Sequence, residues 1–448
     1  MMKRTTTAKA VNISARLKGL LPREVIRLFK LIDRIAQQNS CAVFLVGGLI
    51  RDILLGVRNL DLDILVEGDT PRLVKALVKE ARGSYVLHKR FGTAVVTLPW
   101  PVRFKSTRLA NAKIDFATAR KEIYKSPAAL PEVAFSTVRE DLSRRDFTIN
   151  AMAASLMHKN FGQLIDFFNG RSDLAGKKIR ILHDKSFLDD PTRIFRAVRF
   201  EQRFNFKIEP HTERLIKEAL KGKMIERTSK ARLKDELILI LKEKDPGKAL
   251  SRMENLIDFG FIHPKIHFTK GQEQLFSSIS KTVAWFKSVC EGKTTDIWLV
   301  YMMALLGDLD MSTLENVCRE FAFTKTERTR LCSYRKNNLE VAKFLGRSKR
   351  LSPSEIFRQL KPLSDEAILC IVAGSNSKYI KRRIANFLLK YNKVSLKISG
   401  KDLAGLGLKA GPEFKKILTA ALYAKLDTGF RHKKQELDFI KRFSAGHK

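Results

Sequence analysis

Apolar residues recur at helical spacing from about residue 22 to 38, in EVIRLFKLIDRIAQQ, and then the rhythm changes. CAVFLV (41–46) is an unbroken apolar run ending in Gly47 and Gly48, which reads as a buried strand turning into the helix LIRDILLG, closed by Gly56. In NLDLDILV (59–66) acids alternate with aliphatics, the period of a strand. The pattern next predicts a helix over 71–82 and strands over 92–98 and 113–119. Past about residue 155 the strand rhythm fades. Short extended pieces near 164–168 and 179–182 remain, and nearly everything from 190 to 448 has helical spacing, broken at 242–248, 346–355 and 399–412. The chain therefore reads as an α/β head followed by a long all-α body and tail. The expected divisions are a basic lead-in with the first helix (1–40), the head (41–155), a neck (156–245), a helical body (246–350) and a helical tail (351–448).

Charge alters this picture more than composition does. A hydrophobic content of 44% is ordinary, but 85 Lys and Arg against 47 Asp and Glu leave a net +38 over 448 residues. Such a surplus attracts polyanions, and a phosphate backbone answers it by releasing condensed counterions. No run of about 18 apolar residues offers a membrane-spanning helix. Cys41, Cys290, Cys318, Cys332 and Cys370 are scattered without a CxxC pair, which speaks against a disulfide framework or zinc cluster and suits a reducing, cytoplasmic setting. The basic first 23 residues lack the apolar core of a secretory signal. They read as a lead-in touching RNA or solvent, although an organelle transit peptide shares that composition.

A second basic tract lies between Glu366 and Asp402, where there is no acid but Lys378, Lys381, Arg382, Arg383, Lys390, Lys393, Lys397 and Lys401 all occur. Such a run is ordinarily a solvated face, and the interleaved Tyr379, Phe387 and Tyr391 read first as core. If this region holds structured RNA by shape and phosphate contacts, Lys381, Arg382, Arg383, Lys390 and Lys393 are its candidate contacts. GLGLKAG (405–411) follows no strand and reads as a turn between helices rather than a phosphate loop.

Candidate chemistry concentrates in the head. Asp61 and Asp63 are two apart on a predicted strand, so both side chains leave one face. Carboxylates so placed are hard oxygen ligands for Mg²⁺, which completes its shell with water and substrate phosphates. Gly47 and Gly48 at the strand-to-helix turn let backbone N–H groups approach a triphosphate, and Arg51 can clamp a phosphate oxygen with its planar fork. A glycine pair alone is usually a tight turn, and paired aspartates alone are common. Spaced together over strand, helix and strand they are far more specific. Asp115, on the strand predicted over 113–119, is a candidate third metal ligand; for it and Arg120 the alternative is a bond within the head.

This segment resembles motif A of the class II nucleotidyltransferases, the superfamily of tRNA CCA-adding enzymes and bacterial poly(A) polymerases. DLSRRDFTINAMA (141–153) resembles that family's RRDFTINA motif, DDPTRIFRAVRFEQRFNF (189–206) its nucleotide-templating motif, and LKISGKDLAGLGLKAGPEFKKIL (396–418) its tail signature. The resemblance implies a polymerase-β-like head in which Asp61 and Asp63 hold two Mg²⁺ ions between the α-phosphate of CTP or ATP and an RNA 3′-OH. One ion lowers the pKa of the hydroxyl and the other stabilises pyrophosphate. It implies addition of CCA, or of CC or A alone, to tRNA, with poly(A) addition as the alternative and a catalytically silent RNA-binding relative as the reading from another class.

Carried onto the matching positions, the resemblance sets Arg145 against the nucleotide and has Asp146 accept from the ribose 2′-OH. Asp190 and Arg193 become a protein template for the incoming base, with Arg196 and Arg199 facing phosphates or that pair. Asp189 stands where the family commonly has Glu, which touches only a bracing role. In the templating helix itself, Asp190 is a plausible N-cap before Pro191; Ile194, Ala197 and Val198 form the buried stripe, with the arginines fanned over the opposite side. Phe147 and Ile149 read as core, Thr148 and Asn150 as braces of the turn, and His183 and Asp184 as structural.

Overall fold

The apolar runs of the first half become one mixed, seven-stranded sheet. The computed structural model describes residues 11–445 except 89–91, 105–106, 124–126, 129–130, 291, 407 and 409–410. Two units divide the chain, 1–229 and 230–448.

In the first unit α1 (Ser14–Leu20) and α2 (Arg23–Gln38) precede β1 (Ala42–Val46), α3 (Gly48–Leu54), β2 (Leu62–Glu67) and α4 (Thr70–Ala81). Next come β3 (Ser84–His88), β4 (Thr93–Leu98), a ribbon of β5 (Val102–Phe104) and β6 (Thr107–Leu109), β7 (Ala112–Thr118), and a ribbon of β8 (Arg120–Ile123) and β9 (Glu132–Phe135). Then follow α5 (Val138–Ser143), β10 (Ala153–Ser155), β11 (Leu164–Ile165), α6 (Gly170–Ala175), β12 (Lys178–Ile179), α7 (Ser186–Asp189), α8 (Thr192–Phe204), β13 (Lys207–Ile208) and α9 (Pro210–Lys221).

The sheet order is β11-β10-β1-β2-β7-β4-β3. Its one parallel pairing, β2 with β7, is central and places Asp63 directly beside Asp115. Buried Val43, Leu45, Ile64, Val66, Ile114 and Phe116 account for the apolar character of these central strands. Leu28, Phe29, Ile32, Ile35 and Ala36 give α2 the apolar stripe it buries. β2 begins at Leu62, later than the strand predicted from residue 59. The cause is local: the Asp61 N–H donates to Asn59 Oδ1 at 2.9 Å, so that amide serves a turn and not a ladder. β3, which the pattern did not announce, is an edge strand with mostly exposed positions.

The second unit is helical throughout its described residues: α10 (Lys230–Leu241), α11 (Pro246–Leu256), α12 (Lys270–Val289), α13 (Ile297–Leu306), α14 (Met311–Glu320), α15 (Lys325–Leu345), α16 (Pro353–Leu360), α17 (Asp365–Ala373), α18 (Lys378–Leu389), α19 (Gly400–Gly405), α20 (Pro412–Thr428) and α21 (Lys433–Ala445). α13 is buried on all sides and packs against α10, α12, α15 and α17. Capping boxes at Thr324 and Ser352 start α15 and α16 by satisfying amides that lack intrahelical partners. At the C-terminal end Ile398, Leu403, Ile417, Ala421 and Ile440 form a small core of their own. The expected breaks at 242–248 and 346–355 each span an interhelical connection and run into the first turn of the next helix, α11 or α16, while α19 lies inside the break expected over 399–412. Part of GLGLKAG, at 407 and 409–410, lies outside the described residues. Among the described residues no helix is long and apolar enough to cross a membrane.

Candidate active site

Parallel strands in register turn neighbouring side chains to the same face, so the Asp63–Asp115 pairing brings two carboxylates together; Asp61, two residues earlier, adds a third from the mouth of β2. One carboxylate oxygen from each lies within 4.8 Å of the others. Asp61 is exposed and Asp63 and Asp115 are half-buried, and among the described residues their side chains accept no hydrogen bond and form no ion pair. Asp63 shows the strain: burial, then the charges of Asp61 and Asp115, push its pKa up to about 6, against a smaller pull from Arg145.

Gly47 supplies the wall beside them. Its φ of 71° belongs to the left-handed region that glycine adopts without penalty. A Cβ there would lie 3.0 Å from Arg145 Nη1 and 3.7 Å from Asp63 Oδ2, so any side chain would fill the space next to the acids. Gly48 opens α3, and a Cβ on it would sit 3.3 Å from Arg51 Nη2.

Arg51 departs from the expectation of a phosphate clamp. It is buried; Nε and Nη2 meet Asp52 Oδ1 at 2.9 and 2.8 Å, Nη1 donates to Asn150 Oδ1 at 2.6 Å, and the guanidinium lies 4.5 Å from the Phe204 ring centroid. Burial lowers its pKa and Asp52 opposes that fall. What the structure gives Arg51 is a brace beneath the glycine turn.

The RRD segment is organised by an acid that the sequence reading did not single out. Asp141, fully buried in α5, receives Arg144 Nε and Nη2 on Oδ1 at 3.0 and 2.6 Å, and Arg145 Nε and Nη2 on Oδ2 at 3.3 and 3.1 Å. Its spacing of three and four residues from those arginines was the available signal. Arg144 also reaches Glu122 at 2.8 Å, so the pair is held and not simply solvated. Phe147 and Ile149 are fully buried. Thr148 Oγ1 donates to Asp173 at 2.8 Å, and Asn150 joins Asp146 to Arg51.

Asp146 is held on both oxygens. Its Oδ1 accepts from the Phe147 amide at 2.8 Å and Asn150 Nδ2 at 3.0 Å, while Oδ2 takes Arg196 Nε at 2.9 Å and Nη2. Four donors fill about the four acceptor positions of a carboxylate. Burial pushes this pKa up, but Arg196, Asn150 and the Phe147 amide outweigh it and hold the carboxyl below its usual range. Arg196 thus pairs with Asp146 in this structure.

α8 differs from its predicted amphipathic form. Ile194, Ala197 and Val198 are buried as expected, but so are Arg193 and Arg199. Arg193 donates to Ser186 Oγ and to the Arg144 carbonyl, both at 2.7 Å, and Arg199 lies 5.1 Å from the Phe200 ring centroid. Asp190 Oδ1 takes the Thr192 amide at 3.0 Å and its hydroxyl at 2.6 Å, at the turn that leads into α8 through Pro191. Asp189 stands 3.9 Å from His183, and Asp184 meets His211 at 2.9 Å. Arg120 pairs with Glu122 at 3.2 Å.

Of the basic tract, Lys381, Arg382, Lys390 and Lys393 are exposed, and Tyr379 is 41% exposed. Arg383 is not a surface contact. It is buried and donates to the carbonyls of Leu345, Arg347 and Lys349 at 2.6–2.7 Å, closing the end of α15. Phe387 is core.

Three acids on neighbouring strands beside a glycine turn, on a mixed sheet followed by helices, define a nucleotidyltransferase head. Residues 43–180 match the family described as the Poly A polymerase head domain, and 205–268 match the probable RNA and SrmB-binding site of polymerase A. An A-adding tRNA nucleotidyltransferase of Halalkalibacterium halodurans is 31% identical, the match covering 94% of this chain and 93% of that protein. One from Geobacter sulfurreducens is 35% identical over 91% of this chain, which spans only 46% of that relative's length. The solved Thermotoga maritima CCA-adding enzyme complexed with tRNA superposes with a TM-score of 0.71 at 32% identity, covering 97% of this chain and 99% of that one. The chain belongs to the class II tRNA nucleotidyltransferase family.

Proposed function

We propose that the protein extends the 3′ end of tRNA by transferring a nucleotide from ATP or CTP, and that terminal adenosine addition is its step. The observation that carries the reaction class is the meeting of Asp61, Asp63 and Asp115 within 4.8 Å without internal partners. Relatives named A-adding, matched over 82–94% of this chain, support the choice of adenosine. Neighbouring solved CCA-adding enzymes in complex with ATP and with CTP, at TM-scores of 0.75 and 0.73, support the second reading, addition of all three nucleotides.

The donor set fits Mg²⁺, being all carboxylate oxygen, and two ions are proposed there. When bound, such cations lower the pKa of the attacking hydroxyl and neutralise the triphosphate. Asp61, Asp63 and Asp115 would hold them. The bare Gly47 turn admits phosphates close to the acids, and Arg145 supplies positive charge on the same side. Asp190 would accept from the exocyclic amine of adenine or cytosine, while Arg193 donates to the ring acceptor beside it. Lys381, Arg382, Lys390 and Lys393 offer phosphate contacts to the RNA. Five unpaired cysteines accord with a cytoplasmic setting.

Incubation with tRNA lacking CCA, ending in C, or ending in CC, each with ATP, CTP or both, tests this. Transfer of one AMP to the CC-ended tRNA is expected. CTP incorporation would favour the second reading, and no transfer from either nucleotide with Mg²⁺ present would refute both.

A further inference from the structure

Asp61, the outermost of the three acids, stands before its strand begins, where no ladder holds it. Its position is set by Asn59, which accepts the Asp61 N–H on Oδ1 at 2.9 Å and donates from Nδ2 to Asp52 Oδ2 at 2.8 Å. Asp52 is buried and fixed through Oδ1 by Arg51 at 2.9 Å. From Arg51 the chain of hydrogen bonds continues to Asn150 at 2.6 Å, to Asp146 at 3.0 Å and to Arg196 at 2.9 Å. A short polar side chain on the 55–60 connection therefore ties the loop carrying Asp61 to α3, to the RRD turn and to the templating helix. Every other carboxylate on this path is neutralised. Only the loop end is left with an acid facing its like charges.

We infer that Asn59 is a positioning residue that holds Asp61 in place for cation binding, with Asp52 as its anchor. The inference rests on the proposed metal site. Asn59 touches neither substrate nor cation; it fixes the turn, so that the three acids converge before a cation arrives. Without it Asp61 would drift from Asp63, and cation affinity would fall while nucleotide affinity stayed.

The test is Mn²⁺ binding to the full chain without nucleotide or tRNA, followed by loss of the free-ion paramagnetic resonance signal. Asp63→Ala should abolish the tight binding shown by wild type. Asn59→Ala should weaken it roughly tenfold, as removal of an outer-shell partner does, at an unchanged thermal midpoint. Asn59→Ser, whose hydroxyl can accept the Asp61 amide, should restore most of the loss. With CC-ended tRNA and ATP, the Mg²⁺ needed for half-maximal rate should rise by a similar factor and KM for ATP should not move. Asn59→Ala binding Mn²⁺ as wild type does would overturn the inference, as would a loss that tracks a fallen thermal midpoint and is not restored by serine. Wild type that binds Mn²⁺ through Asp63 but extends no tRNA would leave the positioning role standing and remove the proposed function instead.

Discussion

The head holds two groups of acids treated in opposite ways. Asp141 and Asp146 are buried, and each oxygen is matched to arginine or amide donors. Asp61, Asp63 and Asp115 face one another with no donor among the described residues, and Asp63 is pushed up to about 6 by burial and by the other two. The first arrangement is what folding alone favours, since buried charge is costly unless paired. The second is an arrangement whose mutual repulsion a bound cation would relieve. Saturation and electrostatic conflict thus divide the acids of the head, and Arg51 and Arg196 lie with the saturated group in this structure.

The contrast breaks most sharply on removal of one member from each group. Asp61→Ala should cost about 10³-fold in nucleotide incorporation, several kcal/mol of charge stabilisation at about 1.4 kcal/mol per factor of ten, with the protein still folded by circular dichroism. Arg196→Ala should leave Asp146 buried and unpaired and lower stability by about 3 kcal/mol in urea unfolding. An Arg196→Ala protein of wild-type stability but poor activity would move Arg196 to the substrate side. The same division applies in the tail region. Arg383→Ala, which strips three carbonyls of their donor, should cost about 2 kcal/mol, whereas Arg382→Ala should change stability by less than about 0.5 kcal/mol and instead flatten the salt dependence of tRNA binding by roughly one counterion.

pH sharpens the comparison on a finer scale. Asp63 has a folded-state pKa of about 6, above its usual 3.8. Between those values the native state holds a proton that the unfolded state releases, so this group favours folding as pH falls from 7 toward 4 and opposes it as pH rises. Cation binding needs the ionised form, so affinity should drop about tenfold per pH unit below pH 6. Asp146 shifts the other way, and its contribution to stability is lost only as pH falls through its depressed pKa. Titrations of metal-free protein and of Mn²⁺ affinity separate the two.

Much of the site was legible because two-residue alternation suggested one face for Asp61 and Asp63, although Asp61 itself precedes β2 and is placed by its turn. Asp115 was only a candidate, since nothing local says which strand lies beside β2; the parallel register supplied that. The partners of Arg196 and Arg383 lie 50 and 34–38 residues away, beyond any periodicity, and helical spacing alone sends such arginines to the outside. Asn59 was hidden for another reason: a turn residue carries no period, and its meaning came from the amide of the acid two places on.

The most direct test of the division between conflicted and satisfied acids is thermal unfolding of wild type and Asp63→Asn, each in EDTA and in Mg²⁺. The neutral variant should melt higher than wild type in EDTA, because a repulsion has been removed, and should gain nothing from Mg²⁺, which should raise the wild-type midpoint. A variant that melts at or below wild type in EDTA and is stabilised by Mg²⁺ to the same extent would contradict the account.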